Sequence, residues 1–226
     1  RPTGAPPWTV LLIDFDTVQG GAPVGLNQRG VCPECDYGLT GYNVPQRLVV
    51  SSVWELPLGR GKRFLDGLSP FWDGVASGWM INAIGTFSKG NPFTVLAAAS
   101  TAMDPLTNFR PNRVCDGRST LSSTDVRSNG HYWFDTSCFQ TPAPNYFGNS
   151  GTNIITGPGV NNWDIAVARA VGLPRGLNLQ FRGELFNAFN HTQFLNPSAT
   201  MTDTNFGRIT TARSARKVQL GVKVLW

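Results

Sequence analysis

The sequence has 226 residues, a length that suits one domain or a large piece of one. Only 15% of the residues are charged, while 25 Gly, 16 Pro and 11% aromatic residues favour strands and turns over helices. The net charge is +5, but the 19 Lys and Arg residues are scattered and form no patch of the kind that nucleic-acid binding needs, so we expect no nucleic-acid partner. No apolar run reaches the roughly 18 residues of a transmembrane helix. The opening residues lack the pattern of a signal peptide, as expected of a mature piece or a fragment.

The first 36 residues are assigned only weakly, to loop or strand, and they end in a C-x-x-C motif formed by Cys32 and Cys35. A zinc site would need Cys115 and Cys138 as its other half, but those two lie too far apart in the sequence for a zinc knuckle. A redox pair would need a strand-to-helix setting, which the pattern does not show. We therefore favour disulfides, Cys32 with Cys35 and Cys115 with Cys138, or free thiols, in the exposed loops of an exported protein.

Alternation of apolar and polar residues predicts strands in the remainder of the chain, because successive side chains of a strand point to opposite faces. The clearest case is "LNLQFRGEL", with Leu179 and Phe181 on one face and Asn178, Gln180 and Arg182 on the other. Helical periodicity never persists for three turns. The predicted antiparallel strands cover residues 46–56, 78–88, 92–99, 161–172, 177–190 and 216–226.

The C-terminal segment "RKVQLGVKVLW" alternates in the same way. We expect Val222 and Val224 to share a face with Leu179 and Phe181, and Lys223 to lie on the polar face. In "WDIAVARAV" one charge, Arg169, falls on the apolar face, near a strand end from which it can snorkel to water.

Short turns at 89–91 and 172–176 alternate with long loops at 57–77, 101–160 and 191–215. Short turns at one end, long loops at the other and strands of about 9–11 residues are typical of outer-membrane β-barrels. The predicted fold class is therefore all-β, an antiparallel transmembrane β-barrel segment whose apolar face meets lipid and whose polar face lines a wet lumen. Tryptophans near strand ends suit the membrane interface; these are Trp8, Trp54, Trp79, Trp163 and Trp226.

Five blocks of the sequence resemble, in order, the C-terminal barrel of TonB-dependent receptors, most closely the Oar-like type that carries a carboxypeptidase-regulatory-like domain. The blocks are "RLVVSSVWELPLGRGKRFL", "GWMINAIGTFSKGNPFTV", "FGNSGTNIITGPGVNNWDIAVAR", "LQFRGELFNAFNHTQF" and "NFGRITTARSARKVQLGVKVLW". The resemblance covers roughly residues 37–226 and is weak before that. It implies that residues 1–226 are part of a receptor barrel domain and form the C-terminal strands of a larger barrel.

The resemblance also implies a function and a set of partners. Receptors of this type take up a nutrient across the bacterial outer membrane, using energy from a TonB-type complex that contacts N-terminal regions absent from this sequence. The expected partners are outer-membrane lipid, the barrel-assembly machinery, that energy-coupling complex and an unidentified small-molecule or peptide ligand. The expected assembly signal is the end of the last strand: Leu220, Val222, Val224 and Trp226.

No motif in the sequence predicts an enzyme, a cofactor or a metal site. His131, Asp135 and Ser137 lie close together in the chain, but no G-x-S-x-G framework supports a hydrolase. The glycines lack the spacing of a nucleotide-binding loop, and the aspartates lack that of a calcium loop. Two functions remain: the barrel of an outer-membrane transporter, and a soluble or surface-exposed all-β binding module in which two sheets pack on each other.

Overall fold

The computed structural model describes residues 10–16, 33–97, 109–118, 126, 130–144 and 146–225; for 10–16, Pro33 and Arg175 it describes the backbone alone. Almost all of the regular structure is β. The strands are β1 (Val10–Asp16), β2 (Arg47–Glu55), β3 (Trp79–Ser88), β4 (Pro92–Phe93), β5 (Asn112–Arg113), β6 (Phe139–Gln140), β7 (Ile155–Thr156), β8 (Val160–Gly172), β9 (Asn178–Phe186) and β10 (Lys217–Leu225). The helices are α1 (Pro33–Asp36) and α2 (Pro70–Ala76), with 3-10 turns at Thr136–Cys138 and Pro174–Gly176.

Six strands form one antiparallel sheet in the order β1-β2-β3-β8-β9-β10. The all-β antiparallel prediction is confirmed, and five of the predicted strands correspond to β2, β3, β8, β9 and β10. The strand predicted at 177–190 ends earlier, at Phe186, because Asn187 adopts a left-handed conformation (φ 51°) that turns the chain out of the sheet. The N-terminal region contributes the edge strand β1.

The sheet has one apolar and one polar face, because directly paired residues of neighbouring strands share a face. Leu179 pairs with Val224, and Phe181 with Val222, whereas Gln180 pairs with Lys223. The predicted division of these residues between two faces is confirmed. Apolar side chains continue across the sheet on the first face in paired rows; one such row holds Trp54, Ile81 and Val167.

The strand predicted at 92–99 is wrong. Within its described part, residues 92–97, only Pro92 and Phe93 form a strand, and they pair with β7, while Val95 is fully buried and Leu96 forms a single bridge to Thr200. Tight packing replaces the predicted hairpin, since a Cβ at Gly90 would collide with the backbone of residues 157 and 158. This segment enters the structure formed by the loops and does not join the sheet.

Because the segment predicted as a strand at 92–99 does not join the sheet, the long connection at 57–77 lies at a different end of the sheet from the one predicted. The connections 17–46, 89–159 and 187–216 share one end of the sheet, the loop end. The 56–78 connection lies at the opposite end together with the short turn at 173–177, and this is the turn end. The prediction that 57–77 belongs with the other long loops is therefore wrong.

The loop end carries a folded cap with its own hydrophobic core. Its centre is a cluster of buried side chains: Val95, Phe134, Cys138, Phe139 and Ile155. Arg110 is fully buried in the cap and joins it to α1 through the Asp36 carboxylate at 2.5 Å and the Cys35 carbonyl at 2.6 Å. Thus the described part of the predicted 101–160 loop is packed structure. In the part of the chain that the structure describes, no helix is long and apolar enough to cross a membrane.

Candidate functional site: the polar face and its cavity

The polar face of the sheet is lined by small and hydrophilic side chains. In β8 it presents alanines at every second position, Ala166, Ala168 and Ala170, and the neighbouring β9 presents amides and charges. On β9, Arg182 and Glu184 form an ion pair at 2.6 Å. A face of this composition is hydrated easily, unlike the opposite face of the same strands.

A cavity of about 730 Å³ lies where this polar face meets the loop end. Strands β3, β8, β9 and β10 form its wall on one side, and the 187–216 connection forms the other. The residues that line it are mostly polar: Thr86, Val160, Asn162, Asp164, Phe186, Asn187, Gln193, Arg213, Ser214, Ala215 and Lys217.

Asp164 and Asn187 hold the first part of the cavity wall. The Asp164 carboxylate accepts hydrogen bonds from the Asn187 backbone N–H at 2.9 Å and from the Asn162 amide at 3.0 Å. The Asn187 side chain in turn accepts from the His191 N–H at 3.0 Å and donates to the His191 carbonyl at 2.9 Å. The turn that leaves β9 is therefore fixed to β8 by a charge-assisted network.

Gln193 holds the second part of the wall. Its side chain bonds the backbone of β8 as a neighbouring strand would. Asn161 lies in the part of β8 that precedes Ile165, where β8 no longer pairs with β9. The Gln193 side-chain amide accepts a hydrogen bond from the Asn161 N–H at 2.9 Å and donates one to the Asn161 carbonyl. It also lies 2.9 Å from His191 Nδ1 and is 4% exposed. These bonds satisfy backbone groups of β8 that have no β9 partner at that position.

The charge at the cavity is positive on balance. Arg213 and Lys217 line it, and among the described residues neither side chain forms a hydrogen bond or an ion pair. The one carboxylate of the lining, Asp164, is already bound by two donors. The cavity therefore offers free cationic groups beside neutral amides, an arrangement suited to a polar ligand with an acidic group.

The three cysteines that the structure describes are all disulfide-bonded. Cys115 and Cys138 are bonded to each other, with a Cα–Cα distance of 4.9 Å, so their sulfurs are not free to complete a zinc site. Cys35 is also disulfide-bonded, and Cys32 lies outside the described residues. In the part of the chain that is described, no three His, Cys, Asp and Glu side chains gather as metal ligands.

The residues of the hydrolase alternative take structural positions in the cap. The Asp135 carboxylate accepts from the Ser137 hydroxyl at 2.6 Å and from its N–H at 2.9 Å, which caps the 3-10 turn and lowers the Asp135 pKa. His131 instead has a left-handed backbone (φ 70°) and lines a second cavity of about 450 Å³ beside Arg208. These hydrogen bonds of Ser137 therefore serve the cap of the 3-10 turn.

Aromatic side chains border the apolar face at both ends. Trp79 and Trp54 lie toward the turn end, and Phe87 and Trp163 toward the loop end, where their rings make an edge contact at 5.6 Å. Phe87 lies eight positions after Trp79 in β3, a length of about 27 Å along the strand. A strand tilt of about 40° reduces this to about 21 Å, near the apolar height of about 25 Å in membrane barrels.

The last strand extends this apolar face to the edge of the sheet. Leu220 is 83% exposed, Val222 64% and Val224 47%, all on the face of Phe181 and Leu179. Trp226, the last residue of the predicted assembly signal, lies outside the described residues. Exposed apolar side chains of this number on a single face indicate contact with lipid.

One apolar face bordered by aromatic residues, one wet face and three long connections at the same end define a transmembrane β-barrel sheet. The family model described as "Outer membrane beta barrel domain" matches residues 13–219. The chain therefore belongs to the outer membrane β-barrel domain family, and its location is the bacterial outer membrane. Among the curated proteins and the solved structures, no match to this chain was found.

The hydrogen-bonded framework of the cavity was not predicted from the sequence. Its signal was present in "FNAFNHTQF", where Asn187, His191 and Gln193 follow β9 directly. Asparagine after a strand is typical of a left-handed turn. The spacing does not reveal, however, that Gln193 returns to β8.

Proposed function

We propose that this chain is the barrel part of a TonB-dependent receptor, which takes up a nutrient across the outer membrane with energy from the inner membrane. The observation that carries the proposal is the polar face of the sheet, which leads into a polar cavity between the sheet and the 187–216 connection. The five sequence blocks that resemble receptor barrels support the same proposal.

A structured cap favours a receptor over an open diffusion channel. The cap has a buried cluster and a disulfide, and it packs α1 against the 89–159 connection through Arg110. Rigid groups around a cavity lower the entropy cost of holding a ligand. We propose that the loop end faces outward, as the long loops of bacterial barrels do, so that the cavity meets ligand first.

The proposed ligand is a small molecule or peptide with an acidic group, because Arg213 and Lys217 are the free charges of the cavity. The proposed role includes no catalysis. The further proposed partners are the barrel-assembly machinery, and a TonB-type complex acting through N-terminal regions of the complete receptor.

The experiment compares three strains of the native host: wild type, a deletion of this gene, and a strain depleted of TonB. Mass spectrometry of the spent medium follows every compound that wild-type cells remove. We expect at least one acidic compound to remain in the medium of both altered strains. Removal that continues without TonB but stops in the deletion strain would indicate passive diffusion and contradict the energy-coupled proposal.

The cavity is tested separately with Arg213→Gln and Lys217→Gln in the complete protein. Uptake of the compound so identified should lose affinity, since each variant removes a free charge from the cavity. Lys223→Gln is the matched control, because Lys223 lies on the same polar face but not in the cavity. Equal effects of all three substitutions would show that the cavity is not the binding site.

The alternative of a soluble binding module agrees less well with the structure. A sandwich needs a second sheet over the apolar face, and in the described residues the six-stranded sheet is the only one with strands longer than two residues. Membership of an outer-membrane family also disfavours it.

A further inference from the structure

The 56–78 connection at the turn end contains a short helix with exposed apolar side chains. Helix α2 begins with Pro70, a residue suited to the first helical position. Phe71 is 72% exposed, Trp72 59% and Val75 46%. In a helix the positions i, i+1 and i+4 lie on one side, so these three side chains form a single apolar surface.

The opposite side of α2 is held by hydrogen bonds within the 56–78 connection. The Asp73 carboxylate accepts from the Arg60 N–H at 2.6 Å, and the Ser77 hydroxyl donates to the Asp73 carbonyl at 2.7 Å. A Cβ at Gly59 would collide with both Asp73 and Ser77, so the chain packs closely there. The helix is thus held with its polar side inward and its apolar surface outward.

Two residues of the lipid-facing side of the sheet hold the end of α2. The Val75 carbonyl accepts from the Trp79 indole N–H at 3.0 Å and from Arg169 Nη1 at 2.6 Å. Arg169 lies over the Trp79 ring at 5.5 Å, and the two residues are paired on the apolar face. Thus Arg169, the charge predicted to snorkel, reaches a helix carbonyl at the membrane boundary.

These contacts make the apolar surface of α2 continuous with the apolar face of the sheet. Near the turn end that face ends in Trp54 and Trp79, which is the composition of a membrane-interface belt. A helix with Trp and Phe on one side and polar groups on the other lies in the plane of the headgroups.

We propose that α2 is an interfacial anchor, with Phe71, Trp72 and Val75 inserted among the phospholipids of the periplasmic leaflet. The occupant of this surface is lipid and not a protein. The anchor sets the depth of the turn end of β2 and β3 in the membrane. It rests on the outer-membrane location and on the proposed orientation of the loop end, and not on the proposed uptake.

The test places the photoreactive residue p-benzoylphenylalanine at position 71 of the complete protein in cells. The new side chain keeps the phenyl ring of Phe71, so the fold is preserved, and heat-modifiable mobility verifies the folded fraction. Illumination followed by mass spectrometry identifies what the residue contacts. Position 74 is the matched control, because Gly74 belongs to the same helix, is exposed and has open space around it.

We expect phospholipid adducts at position 71, severalfold more abundant than at position 74. A repeat at position 72 should give the same result, and it replaces position 71 if that variant folds poorly. A protein adduct at 71 and 72 would identify a periplasmic protein as the occupant and overturn the proposal. So would an absence of adducts, or equal lipid adducts at 71 and 74.

Discussion

Replacing Gln193 by alanine tests the framework of the cavity. The substitution removes both hydrogen bonds to the Asn161 backbone and the contact with His191 Nδ1. Since Gln193 is 4% exposed, water does not simply take its place. Each hydrogen bond contributes about 1 kcal/mol net, so local opening of this wall should become easier by about 3 kcal/mol.

The Asn161 amide reports this opening directly, because its N–H is bound by Gln193. A change of about 3 kcal/mol corresponds to exchange that is roughly a hundredfold faster. Hydrogen–deuterium exchange of the protein in lipid nanodiscs measures it, while amides in the middle of β8 and β9 should be unaffected.

Gln219→Ala is the matched control. It makes the same chemical change at an exposed position of β10, where among the described residues the side chain forms no hydrogen bond. The reasoning is refuted if Asn161 exchanges at the wild-type rate in Gln193→Ala, or if the control accelerates it equally. The affinity for the ligand identified in uptake experiments should fall only in Gln193→Ala.

Three further predictions concern the cap and the last strand. Replacing Cys115 and Cys138 by serine should destabilise the cap by about 3 kcal/mol, seen as faster proteolysis of the loops with heat-modifiable mobility unchanged; four free thiols in the untreated protein would contradict the disulfides. The Ser137 hydrogen bonds hold the Asp135 pKa below its ordinary value of 3.8, so this carboxylate stabilises the cap above that pH and the contribution disappears as pH falls through the lowered pKa. Pepsin cleavage between about pH 4 and pH 2 should therefore accelerate less steeply in Asp135→Asn, and identical pH profiles would disprove the effect. Trp226→Ser removes an apolar side chain whose transfer out of water is worth about 2–3 kcal/mol, together with the proposed recognition element. The yield of folded barrel should therefore fall while ligand binding by inserted molecules stays normal; the opposite result would place the residue in a binding site.

The sheet could be predicted because its signal is local. In "LNLQFRGEL" and "RKVQLGVKVLW" the alternation itself distinguishes the residues that face lipid from those that face water. The register pairs Phe181 with Val222, so two lipid-facing residues lie side by side. Strand bounds moved by only a residue or two, except where Asn187 turns the chain. The two-residue repeat of apolar side chains shows which face is apolar, whichever strand lies alongside.

The cap could not be predicted because its contacts join distant parts of the chain. Phe93 and Val95 lie on either side of Thr94, as on one face of a strand, yet Val95 packs in a cluster with Phe134 and Ile155. Nothing local distinguishes a residue that faces a sheet neighbour from one that faces a loop. The error then spread, since one false strand reverses the direction of the chain and places the 57–77 connection at the wrong end.

The cavity framework was missed for a related reason. Gln193 imitates a missing strand by bonding both backbone groups of Asn161, across 32 positions of sequence. A polar residue in a polar loop gives no signal of such a role. It becomes visible only once β9 is seen to end before β8 does.

The disulfide between Cys115 and Cys138 has a consequence for the order of events in assembly. It closes a ring within the cap, whereas thiols are oxidised in the periplasm, which in the proposed orientation of the barrel is the side of the turn end. The span of 23 positions closed by the bond crosses an opening as a compact ring, whereas the reduced loop can cross as an extended hairpin. Oxidation before insertion therefore requires a wider passage through the nascent barrel, and oxidation after insertion requires an oxidant outside the cell. The width of the opening that the loop crosses therefore limits the stage at which this bond can form.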